Sequence, residues 1–214
     1  MDKYSKFINL LNFNEEKYSA ESVFKDFISI FAISISNKVM FNFTNKKRYD
    51  EILSKYESDE QGIFYMLSSE LTKLICNEKE PCDILGEIYQ KITQKSYLRL
   101  INEESSNQII GKKLQGIINI NNKTKNGEMV EANCGSGSMI LAYASILKIF
   151  KINYKTSLKV TAIDTELLNV FMTYIQLYFY DIDATVILSD KNNKELMRLY
   201  TTRYEDEVEE LIVA

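Results

Sequence analysis

The fold is decided by two short stretches, Gly127-Glu-Met-Val-Glu-Ala-Asn-Cys-Gly-Ser-Gly-Ser138 and Lys159-Val-Thr-Ala-Ile-Asp164, with an apolar run between them. The first stretch predicts a short strand followed by a tight glycine turn. The apolar run predicts a helix, and the second stretch predicts another strand that ends in a carboxylate. Wound α/β sheets hold a nucleotide-containing cofactor with this order of elements.

The same alternation continues along the rest of the chain. It indicates a parallel sheet with right-handed crossovers. Residues 195–203 predict a helix or irregular structure, and residues 210–213 predict a last strand. The other elements expected in this part are strands at 129–130, 157–163 and 185–188 and helices at 138–150 and 166–180.

Helical periodicity dominates the chain before the glycine turn. Helices are expected within 1–20 and at about 22–42, 46–55, 59–77 and 109–120. Pro81, the only proline, is expected in the first turn of a further helix. We therefore predict an α/β protein with three regions: a helical region (1–95), a connecting segment and helix (96–126), and a partial Rossmann-like parallel sheet with flanking helices (127–214).

Composition and charge exclude several classes of function. The net charge of −4 and the isoelectric point near 5.2 argue against a protein that coats nucleic acid by charge alone. The sequence has no histidine, which excludes histidine acid–base chemistry and most zinc sites. Cys76 and Cys82 have no further ligand nearby, so no metal site is expected.

The cysteines and the apolar segments bear on location. Three cysteines without repeated spacing fit reduced thiols in a cytoplasmic protein. The amino terminus lacks the layout of a signal peptide. The most apolar run, residues 24–43, is interrupted by charged and polar residues, so it predicts a buried helix and not a membrane span.

The candidate ligand-binding residues lie in the glycine turn and at the strand ends. At Gly135 and Gly137 the missing side chains let the backbone approach a ligand. Asp164 is placed to accept both hydroxyls of a ribose or to cap the following helix, and the two roles are compatible. Asp190 is placed either to contact the adenine ring of a cofactor or to cap the next turn. Glu131 fits a role in orienting the loop or the methionine end of a ligand, or that of a solvated strand end.

Residues 131–140, Glu-Ala-Asn-Cys-Gly-Ser-Gly-Ser-Met-Ile, resemble the Asp-Pro-Ala-Cys-Gly-Ser-Gly-Gly-Met-Leu motif of adenine-specific DNA methyltransferases. The resemblance is to the modification subunits of type I restriction systems and related phage proteins. Residues 83–89, Asp-Ile-Leu-Gly-Glu-Ile-Tyr, are similar to an Asp-x-Leu-Gly-x-x-Tyr helix that these proteins carry before the catalytic domain. Residues 162–164 and 187–190 match the next two signatures in order. The resemblance covers roughly residues 20–214 and is specific at the glycine turn.

This resemblance implies a class I S-adenosylmethionine-dependent fold with a bound S-adenosylmethionine. It implies that Gly135 and Gly137 lie near the methionine moiety, Asp164 on the ribose and Asp190 near the adenine. The remaining members of the predicted cofactor set are Glu131, Asn133 and Ser136. No catalytic residue and no metal ligand are predicted in this chain.

Three departures from the family pattern bear on activity. The Phe-Thr-Pro signature, which helps to hold the cofactor, is replaced by Leu-Ile-Asn-Glu-Glu at 100–104, and the opening Asp-Pro by Glu131-Ala132. The family transfers methyl through an Asn/Asp-Pro-Pro-Tyr/Phe tetrapeptide that holds a flipped adenine, and none occurs here. Residues 210–214 look like the strand that leads into it, so the chain is expected to stop where the chemistry would begin.

Three functions are therefore weighed. The first is the cofactor-binding part of a DNA adenine methyltransferase, with catalysis by this chain alone not expected. The alternative is a non-catalytic regulatory or protein-interaction module on the same scaffold, related to phage or restriction–modification proteins. A nicotinamide enzyme is less favoured, because Ser138 stands where a third glycine would allow close helix packing. Expected partners are DNA, through a larger complex, and a protein or second copy at the exposed end of the sheet; no membrane is expected.

Overall fold

The computed structural model describes residues 2–40, 42–97, 124–125 and 127–202. Up to residue 97 the described chain is helical. Side-chain caps begin two of its helices: Ser19 Oγ accepts the N–H of Ser22, and Asn42 Oδ1 accepts the N–H of Asn45. The helices are α1 (Ser5–Leu11), α2 (Ala20–Val39), α3 (Phe43–Leu53), α4 (Gly62–Cys76) and α5 (Ile84–Tyr97).

The second part of the chain alternates strands and helices around one sheet. Its elements are β1 (Thr124–Lys125), β2 (Glu128–Glu131), α6 (Ser138–Ile149), α7 (Tyr154–Ser157), β3 (Lys159–Asp164), α8 (Leu167–Phe179), β4 (Asp183–Ser189) and β5 (Glu195–Tyr200). The strand order is β1-β2-β3-β4-β5. Strands β2, β3 and β4 are parallel, whereas β1 pairs antiparallel with β2 and β5 with β4.

The parallel strands place their carboxyl ends at one edge of the sheet. In register, Glu131 of β2 lies beside Ala162 of β3, and Asp164 beside Leu188 of β4. The two crossovers run in the same direction along the sheet, so right-handed connections bring α6 and α8 to the same face. Burial agrees with this: Met129 is buried, whereas the next residue of β2, Val130, points to the other face and is 51% exposed.

The helical region packs against α8. Both α2 and α5 contact this helix, and the ring of Phe31 stacks on that of Phe179 with 5.8 Å between centroids. Buried residues of the helical region and of the sheet belong to one hydrophobic cluster. The two parts of the described chain therefore share a core. None of the helices in the described part combines the length and apolar character that crossing a membrane requires.

The predicted fold class is confirmed: a helical region precedes an α/β sheet whose central strands are parallel. The strands and helices expected between residues 129 and 188 are all present, with ends shifted by a few residues. The short helix α7 was not predicted. The helix and strand expected at 109–120 and 210–213, and the segment 100–104, lie outside the described residues, as does most of the connecting segment 96–126.

Two predictions of secondary structure were wrong. Residues 195–203, expected to be helical or irregular, contain strand β5, because a turn at Asp190 folds the chain back onto β4. The helix expected to contain Pro81 in its first turn begins at Ile84. Asp83 precedes that helix, and its carboxylate accepts the N–H of Gly86 at 2.8 Å, as a capping residue does.

Candidate functional site

The glycine turn connects β2 to α6 at the carboxyl edge of the sheet. Gly135 and Gly137 have φ angles of 55° and 89°, in the left-handed region that glycine adopts without strain. The N–H of Gly137 donates to the carbonyl of Cys134 at 2.8 Å, which closes the turn. A Cβ at Gly137 would lie 3.2 Å from Thr173 Oγ1, whereas a Cβ at Gly135 would meet nothing within 4 Å. The turn is therefore packed against α8 at Gly137 and open at Gly135.

Asp164 connects the turn to the end of the neighbouring strand. Its Oδ2 accepts the N–H of Gly135 at 2.9 Å, and its Oδ1 accepts the N–H of Glu166 at 2.9 Å and the side-chain amide of Asn169 at 3.3 Å. The residue is 7% exposed. Its carboxylate thus fixes the turn and the residue before α8. It is not the cap of that helix, whose capping position is Glu166 with no side-chain capping bond, so the capping role considered from the sequence is wrong.

Helix α8 holds the turn from the other side. Thr173 Oγ1 donates to the carbonyl of Gly135 at 2.8 Å. The amide nitrogen of Gln176 donates to the carbonyl of Ser136 at 2.7 Å. Thr173 and Gln176 are three residues apart in a mostly apolar helix, so they lie on one face. That pair of polar residues is a signal in the sequence that could have revealed the contact.

The start of α5 reaches the same turn, a contact that sequence reasoning missed. Asp83 Oδ2 accepts the hydroxyl of Ser136 at 2.5 Å, and Asp83 Oδ1 accepts the amide nitrogen of Gln176 at 3.0 Å. Gly86 makes this approach possible, since a Cβ there would lie 2.2 Å from Asp83 Oδ2 and 2.5 Å from Ser136 Oγ. Asp83 and Gly86 belong to the Asp-Ile-Leu-Gly segment noted above, which therefore lies directly against the glycine turn.

The electrostatic environment of the turn is acidic. Glu131, at the end of β2, is buried at 6% exposure, so the solvated strand end considered from the sequence is wrong. Burial, together with the nearby carboxylates of Asp164 and Glu131, raises the pKa of the Cys134 thiol to about 12. This thiol stays protonated near neutral pH and is not an activated nucleophile. The donors to Asp83 and Asp164 are all neutral groups.

Two predicted residues lie apart from the centre of the turn. Asn133 is exposed to solvent. Asp190 follows β4 at the same edge of the sheet, where its Oδ1 accepts the N–H groups of Asn192 and Lys194, both at 2.8 Å. This carboxylate stabilises the β4–β5 turn, in agreement with the capping role considered from the sequence. The structure thus brings together five of the seven predicted residues: Glu131, Gly135, Ser136, Gly137 and Asp164.

Within the described residues, no group of three or more acidic, cysteine or histidine side chains is placed to hold a metal ion. The three cysteines are free thiols: Cys76 is exposed, Cys82 half-buried and Cys134 buried.

Comparison with known proteins gives a limited result. No family model matches the sequence, and no curated protein matches it. A solved structure from Listeria monocytogenes, provisionally assigned in its description to the class I S-adenosylmethionine-dependent methyltransferases, aligns with 93% of this chain. The two share 12% sequence identity and a TM-score of 0.30, and this chain spans 66% of that one.

Proposed function

We propose that the glycine turn binds S-adenosylmethionine and that this chain is the cofactor-binding part of a protein related to adenine-specific DNA methyltransferases. The observation that carries the proposal is the hydrogen bond from Gly135 N–H to Asp164, which fixes a turn with an open side at the carboxyl ends of two parallel strands. Ligands of wound α/β sheets bind at this edge.

The charges around the turn favour this cofactor over a dinucleotide. S-adenosylmethionine carries a positive sulfonium and an ammonium group, which the buried carboxylates Glu131 and Asp164 would attract. The pyrophosphate of a nicotinamide cofactor would instead meet like charges, with Asp83 close to the turn as well. The acidic environment is therefore a second reason, besides Ser138, to disfavour a nicotinamide enzyme.

Methyl transfer to adenine needs more than a cofactor site. The 214 residues contain one proline, Pro81, so an Asn/Asp-Pro-Pro-Tyr/Phe tetrapeptide is absent from them. Cys134 does not supply an alternative nucleophile, because its thiol stays protonated near neutral pH. We propose that this chain binds the cofactor without transferring the methyl group by itself, and that any contact with DNA is made through a larger complex.

Isothermal titration with S-adenosylmethionine tests the proposal. We expect saturable binding that Asp164→Ala weakens at least about tenfold, since it removes a carboxylate that supports the turn. Asp183→Ala is the matched control: it removes a carboxylate at the amino end of β4, where Asp183 accepts the hydroxyl of Thr202 at 3.0 Å. Absence of heat with folded protein at high micromolar cofactor would refute the cofactor site. Transfer of tritiated methyl to duplex DNA by this chain alone would refute the non-catalytic role.

A second function is favoured by the hydrogen bonding of the turn itself. Both oxygens of Asp164 and the hydroxyl of Ser136 are already used inside the protein, as is one oxygen of Asp190. A turn satisfied in this way fits a regulatory or protein-interaction module that keeps the scaffold without the cofactor. This alternative predicts no cofactor binding by folded protein, together with self-association measurable by light scattering or a stable complex with a partner.

A further inference from the structure

A polar cluster, half-buried at two of its residues and fully buried at the third, joins the helical region to the glycine turn. Its members are Asp83 before α5, Ser136 in the turn and Gln176 in α8. Gln176 is 0% exposed. Its amide oxygen accepts the N–H of Leu85 at 3.1 Å, and its amide nitrogen donates both to Asp83 Oδ1 and to the carbonyl of Ser136. One side chain therefore links three segments that are distant in sequence.

We infer that Asp83 and Gln176 are positioning residues that hold the glycine turn in its ligand-ready shape. They act through Ser136, whose hydroxyl is held by Asp83 and whose carbonyl is held by Gln176. The identity of the ligand rests on the proposed function. The positioning of the turn rests only on the hydrogen bonds to Ser136.

The chemistry of the cluster requires an amide at position 176. The Gln176 side chain accepts one hydrogen bond and donates two, a combination that a carboxylate cannot supply. Gln176→Glu would place a second negative charge beside Asp83 and an acceptor beside the Ser136 carbonyl. Because buried polar groups without a partner are costly, the turn would move to relieve the mismatch. The packing around the cluster leaves no space for a larger side chain at Gly86, since a Cβ there would overlap Asp83 Oδ2 and Ser136 Oγ.

This arrangement couples the helical region to the candidate site. A ligand that orders the turn would also order the start of α5, and a substitution that displaces Asp83 would weaken binding at the turn. The helical region thereby supports the shape of the site, and Asp83 does so through Ser136.

Asp83→Ala and its conservative partner Asp83→Asn test this inference. Asparagine keeps Oδ1 for Gly86 and Gln176, and its amide can donate to Ser136 Oγ, because a hydroxyl accepts as well as donates. By two-dimensional NMR we expect Asp83→Ala to shift the amide signals of Gly135, Ser136 and Gly137, and Asp83→Asn to restore them. Affinity for S-adenosylmethionine should fall about tenfold in Asp83→Ala and stay within about threefold in Asp83→Asn.

Further variants separate a positioning role from general destabilisation. Gln176→Glu should shift the same three amide signals, whereas Gln90→Glu, the same change at an exposed position of α5, should not. Should Asp83→Ala fail to fold, Ser136→Ala removes the same hydrogen bond from its other end. Folded variants with unchanged turn signals would overturn the inference. If wild-type protein binds no S-adenosylmethionine but the signals still shift as described, the positioning role stands and the cofactor proposal falls.

Discussion

Replacing Gly86 with alanine should destabilise the protein, although alanine is the better helix former. Gly86 lies in the first turn of α5, where alanine would contribute about 1 kcal/mol of helix propensity. Its Cβ, however, would lie 2.2 Å from Asp83 Oδ2 and 2.5 Å from Ser136 Oγ. Asp83 would have to move, which breaks the cap on the Gly86 N–H (about 1 kcal/mol) and a hydrogen bond between a carboxylate and a hydroxyl (roughly 1.5–3 kcal/mol). The net loss is about 2 kcal/mol.

Urea and thermal unfolding measure this loss. For a chain of this length, a loss of about 2 kcal/mol lowers the melting temperature by about 6 °C. Gly62→Ala is the matched control, since it also lies at the start of a helix and its Cβ would meet nothing within 4 Å. The control should be as stable as wild type or up to about 1 kcal/mol more stable. If Gly86→Ala is as stable as Gly62→Ala, the contact between α5 and the glycine turn is refuted.

Three further predictions concern the turn, the thiols and the helical region. Gly137→Ala should lose about 2 kcal/mol of unfolding free energy, because φ is 89° and the new Cβ would press on Thr173; a urea midpoint equal to that of wild type would contradict this. A thiol-reactive dye at pH 8 should label exposed Cys76 rapidly and buried Cys134 slowly, since burial raises the pKa of Cys134 to about 12; rapid labelling that persists in a Cys76→Ser, Cys82→Ser double variant would contradict this. The N–H of Glu57, with Lys17, Tyr18 and Asn14, lowers the pKa of Glu60 to about 2 from 4.5. The contribution of the Glu60 carboxylate to stability is therefore complete above pH 4.5 and is lost as the pH falls towards 2. The difference in unfolding free energy between wild type and Glu60→Gln should shrink over that range. A constant difference would refute the lowered pKa of Glu60.

The sequence predicts an element correctly where its hydrophobic periodicity and its turn residues indicate the same structure. From β2 to β4, apolar strands, the glycines and Asp164 all indicate the same order, and the structure has it. Strand β5 was missed because Glu-Leu-Met-Arg-Leu-Tyr consists largely of good helix formers. Its extended state is decided by pairing with β4 through the turn at Asp190, a tertiary effect that local propensity does not contain.

The residues of the candidate site divide in the same way, into those that a local sequence pattern identifies and those that only tertiary contacts identify. Gly135, Gly137 and Asp164 are marked by their positions in a local pattern, so the sequence identifies them. The sequence does not identify Asp83 and Gln176 in this way, because the hydrogen bonds that join them to each other and to the turn connect residues 40 to 93 positions apart. Resemblance drew attention to residues 83–89 without indicating what they touch. A polar residue in an apolar helix, as Gln176 is, indicates a buried partner but does not say which one.

The packing of α2 and α5 on α8 has a consequence during synthesis. Roughly 70 residues separate the end of α5 at Tyr97 from the start of α8 at Leu167. At ribosomal rates of about 5–20 residues per second, the helical region would wait roughly 4–14 s for the helix that covers Phe31. Until then its apolar surface faces the solvent or a chaperone. The helical region is thus synthesised first but completes its packing late, because it packs against α8 of the α/β part.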